Sequence, residues 1–204
     1  MLRNSPWKFD TPPETQVRVD ENVLALQAPL VCVHRDGAGG WFFDGPGEPP
    51  RPARTTRFEA VVQAWPHVAC LSHVDRGGFA VWSWVQHGWV IEGECHCGSC
   101  ERPRATDLDR ATWPPEMDPE GLISVESAAL TGQVELVEMR ASAGRTALLG
   151  PGGSDGAAAQ MTPVALANVF RRWPYAMAAY RALHDGRAMH WNNEDLHWSE
   201  YVLA

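Results

Sequence analysis

The chain has 204 residues, a formal net charge of -8, 45% hydrophobic and 21% charged residues, ten tryptophans and five cysteines. That length holds one large domain or two small ones, and the apolar content excludes a disordered chain. Acidic charge disfavours phosphate backbones and anionic lipid, so the expected partner is a protein, a basic one by preference, with no nucleic acid and no membrane. The sequence holds no run of 18 apolar residues and opens on no signal-type segment, so a cytoplasmic location is expected.

In chain order, residues 1–28 read as an N-terminal extension and 29–94 as a first α+β unit. "LVCVHRD" and "GWFFDG" flank Gly37-Ala38-Gly39-Gly40, the pattern of a β-hairpin with a glycine loop. Thr56 followed by Glu59 has capping-box spacing, with Phe58, Val61, Val62 and Trp65 at helical intervals behind it. Trp65-Pro66 then breaks the helix, and a second short helix is predicted from Pro66 up to Gly77-Gly78. "GFAVWSWVQHGWV" alternates as a third strand, with Trp82 and Trp84 on one face. Those rings are either buried under the helices or, on an open face, form a binding surface.

Residues 95–128 read as a cysteine knuckle followed by a proline-rich, charged linker. In "GECHCGSC" three thiols, Cys95, Cys97 and Cys100, converge on one turn. Thiolates select zinc or an iron–sulfur centre, with structural zinc the expectation here, and a structural zinc site wants four ligands. The spacing leaves the fourth open: His87 and His73 are the better placed by sequence, and an Asp or Glu side chain is the alternative. The same stretch resembles the first zinc knuckle of the glutathione-dependent formaldehyde-activating family, which implies zinc at these thiols. Cys97-Gly98-Ser99-Cys100 also has the C-x-x-C form of a redox dithiol.

Residues 129–204 repeat the landmarks of the first unit. "VELVEMRASAGRTALLGPGGS" aligns with "LVCVHRDGAGGWFFDGPGE", placing Arg35 on Arg140. Trp65-Pro66 falls on Trp173-Pro174, Gly78 falls on Gly186, and Thr162-Pro163 is the second predicted helix start. "HWNNEDLHW", with Trp191 and Trp198, reads as a polar C-terminal loop that offers a possible surface. The predicted fold is therefore α+β: two ββααβ-like repeats related by a pseudo-twofold, each an antiparallel sheet with helices packed on one face.

The hairpin "VHRDGAGGWFFDG" resembles one found in small uncharacterised bacterial proteins, some of them immunity proteins beside toxins. That resemblance implies a non-catalytic protein-binding module, and acidic charge with abundant tryptophan suits capture of a basic partner. The alternatives are a metal-dependent enzyme using Cys95, Cys97 and Cys100, and a dithiol redox protein.

Overall fold

The computed structural model describes residues 7–47, 52–92, 113, 115, 117–150, 160–192 and 197–202. Cys95, Cys97 and Cys100 lie outside the described residues. The architecture is mixed α and β, with two six-stranded sheets and a few short helices, compatible with the α+β class.

The first sheet is built from β1 (Gln16–Asp20), β2 (Cys32–Arg35), β3 (Trp41–Asp44), β4 (Ala53–Arg57), β5 (Phe79–Ser83) and β6 (Gly88–Glu92). Helix α1 (Glu21–Leu24) follows β1, while α2 (Phe58–Ala64) and a 3₁₀ turn (Pro66–Leu71) follow β4. The second sheet uses β7 (Leu122–Glu126), β8 (Glu138–Ser142), β9 (Arg145–Leu149), β10 (Met161–Ala165), β11 (Arg187–Asn192) and β12 (His197–Val202). Its helices are α3 (Ser127–Leu130), α4 (Leu166–Arg172) and α5 (Ala176–Ala182). The strand orders are β4-β1-β3-β2-β5-β6 and β10-β7-β9-β8-β11-β12, the same order counted from each sheet's own first strand.

These sheets differ from the predicted antiparallel ββααβ units in two ways. Each contains one parallel pair, β1 with β3 and β7 with β9. Each also has three strands the alternation did not reveal. β1 falls within the stretch read as an extension, and β7 within the stretch read as a linker, because five residues between charged or proline-rich neighbours give little periodicity. The single long strand expected over "GFAVWSWVQHGWV" is instead the hairpin β5–β6, whose turn carries Trp84 and His87, the latter at φ +51°. "HWNNEDLHW" likewise contributes to paired strands, with Trp191 opposite Trp198.

The predicted helix starts are also corrected. Thr56 pairs with Val17 inside β4, and Thr162 and Pro163 lie inside β10, so the edge strands run directly into α2 and α4. Arg57 and Ala165 cap those helices with no side-chain bond. Pro163 is tolerated because β10 is an edge strand, where a missing N–H leaves no ladder bond unmade. The Trp-Pro breaks form as expected: Trp65 and Trp173 adopt nearly the same backbone, φ -132° ψ 77° and φ -127° ψ 77°.

Bond by bond, the halves run alike. Gly77 and Gly186, at φ +84° and +77°, donate to the carbonyls of Arg35 (2.7 Å) and Ala141 (2.8 Å). Glycine adopts that left-handed backbone without the penalty a Cβ would bring. Ala141 and Gly186 thus make the bond that Arg35 and Gly77 make, one residue away from the alignment of Arg35 on Arg140 and of Gly78 on Gly186. The β2–β3 turn is longer than the two-residue turn at Ala143-Gly144, which displaces Arg35 in that alignment.

Phe58, Val61, Trp65, Val68 and Leu71 cover Val17, Val19, Val33, Phe43 and Ala80 on one face of the first sheet. Burial of each such side chain contributes about 1.5–3 kcal/mol. Phe79 and Val81, one residue either side of Ala80, point to the opposite face, as strand alternation requires. Together with Val31, Trp82 and Trp84 they belong to a cluster continuous with the second half's core, which includes Val125, Met139, Leu148, Phe170 and Trp173. The two halves thus share apolar packing.

Candidate functional site

Where the halves meet, a cleft of about 590 Å³ is walled largely by rings. Four come from the two hairpins, and the pairing places them: Trp82 lies opposite Trp89, and Trp191 opposite Trp198. The other two follow the Trp-Pro breaks, His67 after Pro66 and Tyr175 after Pro174. By ending each helix, the proline turns the next side chain toward the junction.

The rings form a continuous stack. Trp89 stacks on His67 (5.3 Å between centroids, 8° between planes), His67 on Tyr175 (5.1 Å, 23°), and Tyr175 on Trp198 (5.6 Å, 18°). Trp82 and His67 meet in a T-shaped pair (5.3 Å, 82°), and Trp191 leans on Tyr175 (4.8 Å, 57°). The outer rings are tied to the backbone of the inner ones: the Trp89 indole N–H donates to the His67 carbonyl (3.0 Å), and that of Trp198 to the Tyr175 carbonyl (2.9 Å).

Electrostatically the stack is neutral. Tyr175 is fully buried and its hydroxyl donates to the Leu136 carbonyl at 2.8 Å, with burial first and Glu135 second raising its pKa well above the usual phenol value. His67, 1% exposed, has neither ring nitrogen in hydrogen-bond geometry. Burial pushes its pKa down to about 3, and the Leu30 backbone, in the place Leu136 holds for Tyr175, only weakly opposes that shift. The indole N–H groups of Trp82 and Trp191 are also buried without a partner.

The rim carries Cys70, whose thiol burial raises to about 11, and the exposed His73 and His197. His87 Nε2 lies 3.3 Å from Arg181 Nη1. A guanidinium can only donate, so Nε2 accepts and the proton sits on Nδ1. Burial and then Arg181 hold this imidazole below its ordinary pKa. A metal at Nε2 would have to displace the guanidinium. Among the described residues no three His, Cys, Asp or Glu side chains are grouped to hold a metal ion.

Of the tryptophans proposed as a surface, Trp82, Trp84 and Trp191 are 4%, 3% and 5% exposed. Trp84 packs against Trp82. Trp198 is half-buried and faces the cleft, as does Trp89, which the sequence pattern did not single out. His67 and Tyr175 were also missed as a pair. Their shared position after Trp-Pro is the signal that links them.

A second polar constellation is structural. Arg35, buried on β2, pairs with Asp10 (2.7 Å), donates to the Val74 carbonyl (3.1 Å) and lies over the Trp41 ring. Trp41 in turn donates to the Thr11 hydroxyl, so Arg35 and Trp41 of the hairpin anchor the segment before β1.

No protein-family model matches this chain, and no curated protein or solved structure gives a significant match.

Proposed function

We propose that the protein is a non-catalytic, cytoplasmic binding module, of the kind that neutralises a bacterial toxin, and that it recognises a protein partner through the cleft between its halves. The observation carrying this reading is the aromatic cleft itself. Rings that are rigid, half-apolar and already packed lose little conformational freedom on binding, which is why tryptophan and tyrosine dominate interface hot spots. The net charge of -8 would steer a basic partner.

The reading includes an internal duplication. Two ββααβ-containing repeats related by a pseudo-twofold account for the common strand order and the matched bonds at Gly77 and Gly186. His67 and Tyr175 occupy one position in the two repeats and touch each other, as residues beside a twofold axis do. It also includes zinc at Cys95, Cys97 and Cys100 as a clamp between the halves. His87 can complete that site only by releasing Arg181.

Affinity capture from the native cell tests the function. One stoichiometric protein partner, released when a positive charge is placed at the exposed cleft residue Ile91, supports it. No partner, together with a metal-dependent turnover abolished by Cys100→Ser, would favour the enzyme reading instead.

A further inference from the structure

We propose that the cleft is a guanidinium site: it takes an arginine side chain of the partner against the faces of Trp89 and Trp198. This deepens, and rests on, the reading of the cleft as the recognition surface.

The argument is electrostatic and geometric. Trp89 and Trp198 are the ends of the ring stack, each with one face covered by His67 or Tyr175 and each half-buried in the cleft wall. The negative face of an indole attracts a cation and repels an anion, and planar guanidinium stacks on it. Two imidazoles of the cleft are held below their ordinary pKa, His67 by burial, to about 3, and His87 by burial and then by Arg181. Net charge of -8 acts in the same direction. The chain already uses this contact internally, with Arg18 over Phe42, Arg35 over Trp41 and Arg172 over Trp173 at 4.6–5.4 Å.

The cleft also selects among cations. Among the described residues no carboxylate lines it. A lysine ammonium, compact and strongly hydrated, would lose its water without an ion pair in return, whereas guanidinium is more weakly hydrated. The occupant is therefore arginine rather than lysine.

The test titrates the full-length protein with N-acetyl-arginine methylamide and its citrulline and lysine counterparts, following the indole N–H resonances of Trp89 and Trp198. Arginine is expected to bind roughly fivefold or more tightly than citrulline, its neutral isostere, and to shift both resonances. Ile91→Glu at the mouth should tighten arginine binding and Ile91→Lys weaken it, each about two- to fivefold. Equal binding of arginine and citrulline, unmoved resonances, or two Ile91 variants with the same affinity would overturn the proposal. A captured partner that arginine methylamide fails to compete removes the guanidinium site and leaves the protein-binding reading standing. Arginine binding with no protein captured leaves the site and removes that reading.

Discussion

His67 and Tyr175 stack across the junction of the two halves with centroids 5.1 Å apart, each following a proline that ends a helix. The pair is asymmetric in one respect, since Tyr175 reaches the Leu136 carbonyl and His67 bonds no equivalent group. Tyr175→Phe keeps the stack but leaves that buried carbonyl unpaired, and should cost about 1–2 kcal/mol. Tyr175→Ala removes the ring and should cost about 3–5 kcal/mol. Denaturant midpoints of the two variants check this. Equal losses would mean that the ring contributes nothing beyond its hydroxyl.

The same pair predicts acid sensitivity. His67 titrates near pH 3 when folded and near 6.5 when unfolded, so below 6.5 the unfolded chain binds the extra proton. Its contribution is therefore complete above pH 6.5 and falls by about 1.4 kcal/mol per pH unit between roughly pH 6 and 4. Thermal unfolding across this range should show the slope in the wild type, and His67→Phe should flatten it. An unchanged slope in His67→Phe would assign the acid loss to other groups, such as the exposed Asp10, whose carboxyl its hydrogen bond to Arg35 holds below the ordinary range.

Arg35 and Asp10 form one ion pair but should behave unequally. Arg35 is buried, and its removal strands the Val74 carbonyl and the face of Trp41, a loss of about 2–4 kcal/mol. Asp10 is mostly exposed, so Asp10→Ala should cost less than about 1 kcal/mol. Chemical denaturation of both variants, with faster proteolysis near Trp7 in Arg35→Ala, is the expected result.

Zinc binding at the cysteine knuckle predicts about one equivalent of metal in reduced protein, held by thiolates that release it as pH falls. A chelator and Cys100→Ser should lower the unfolding midpoint alike. Metal-free reduced protein, or an unaffected midpoint in both cases, would remove the clamp from the account.

The elements legible in the sequence are those with a strong local cause. Trp-Pro fixed both helix breaks, because proline cannot continue the backbone ladder. The glycine-flanked apolar runs marked β2 with β3. What could not be read depends on distant partners. Nothing local in "QVRVD" shows that β1 lies parallel to β3, and Thr56 and Thr162 look like helix caps because the strands that claim them, β1 and β7, are far away in sequence. The cleft was partly visible through Trp82, Trp191 and Trp198. Trp89 was hidden by reading one long strand where a hairpin turns at Trp84 to His87, and nothing local to His67 shows that its ring stacks on distant Tyr175.

Capture of a partner from the native cell, repeated with wild-type protein and with Ile91→Glu and Ile91→Lys, tests the binding-module account most directly. Ile91 is 40% exposed at the cleft mouth, so neither charge should disturb folding. The account predicts one stoichiometric basic protein whose retention rises with Ile91→Glu and falls with Ile91→Lys, at unchanged melting temperature. A partner retained equally by all three proteins, or no partner at all, would contradict it.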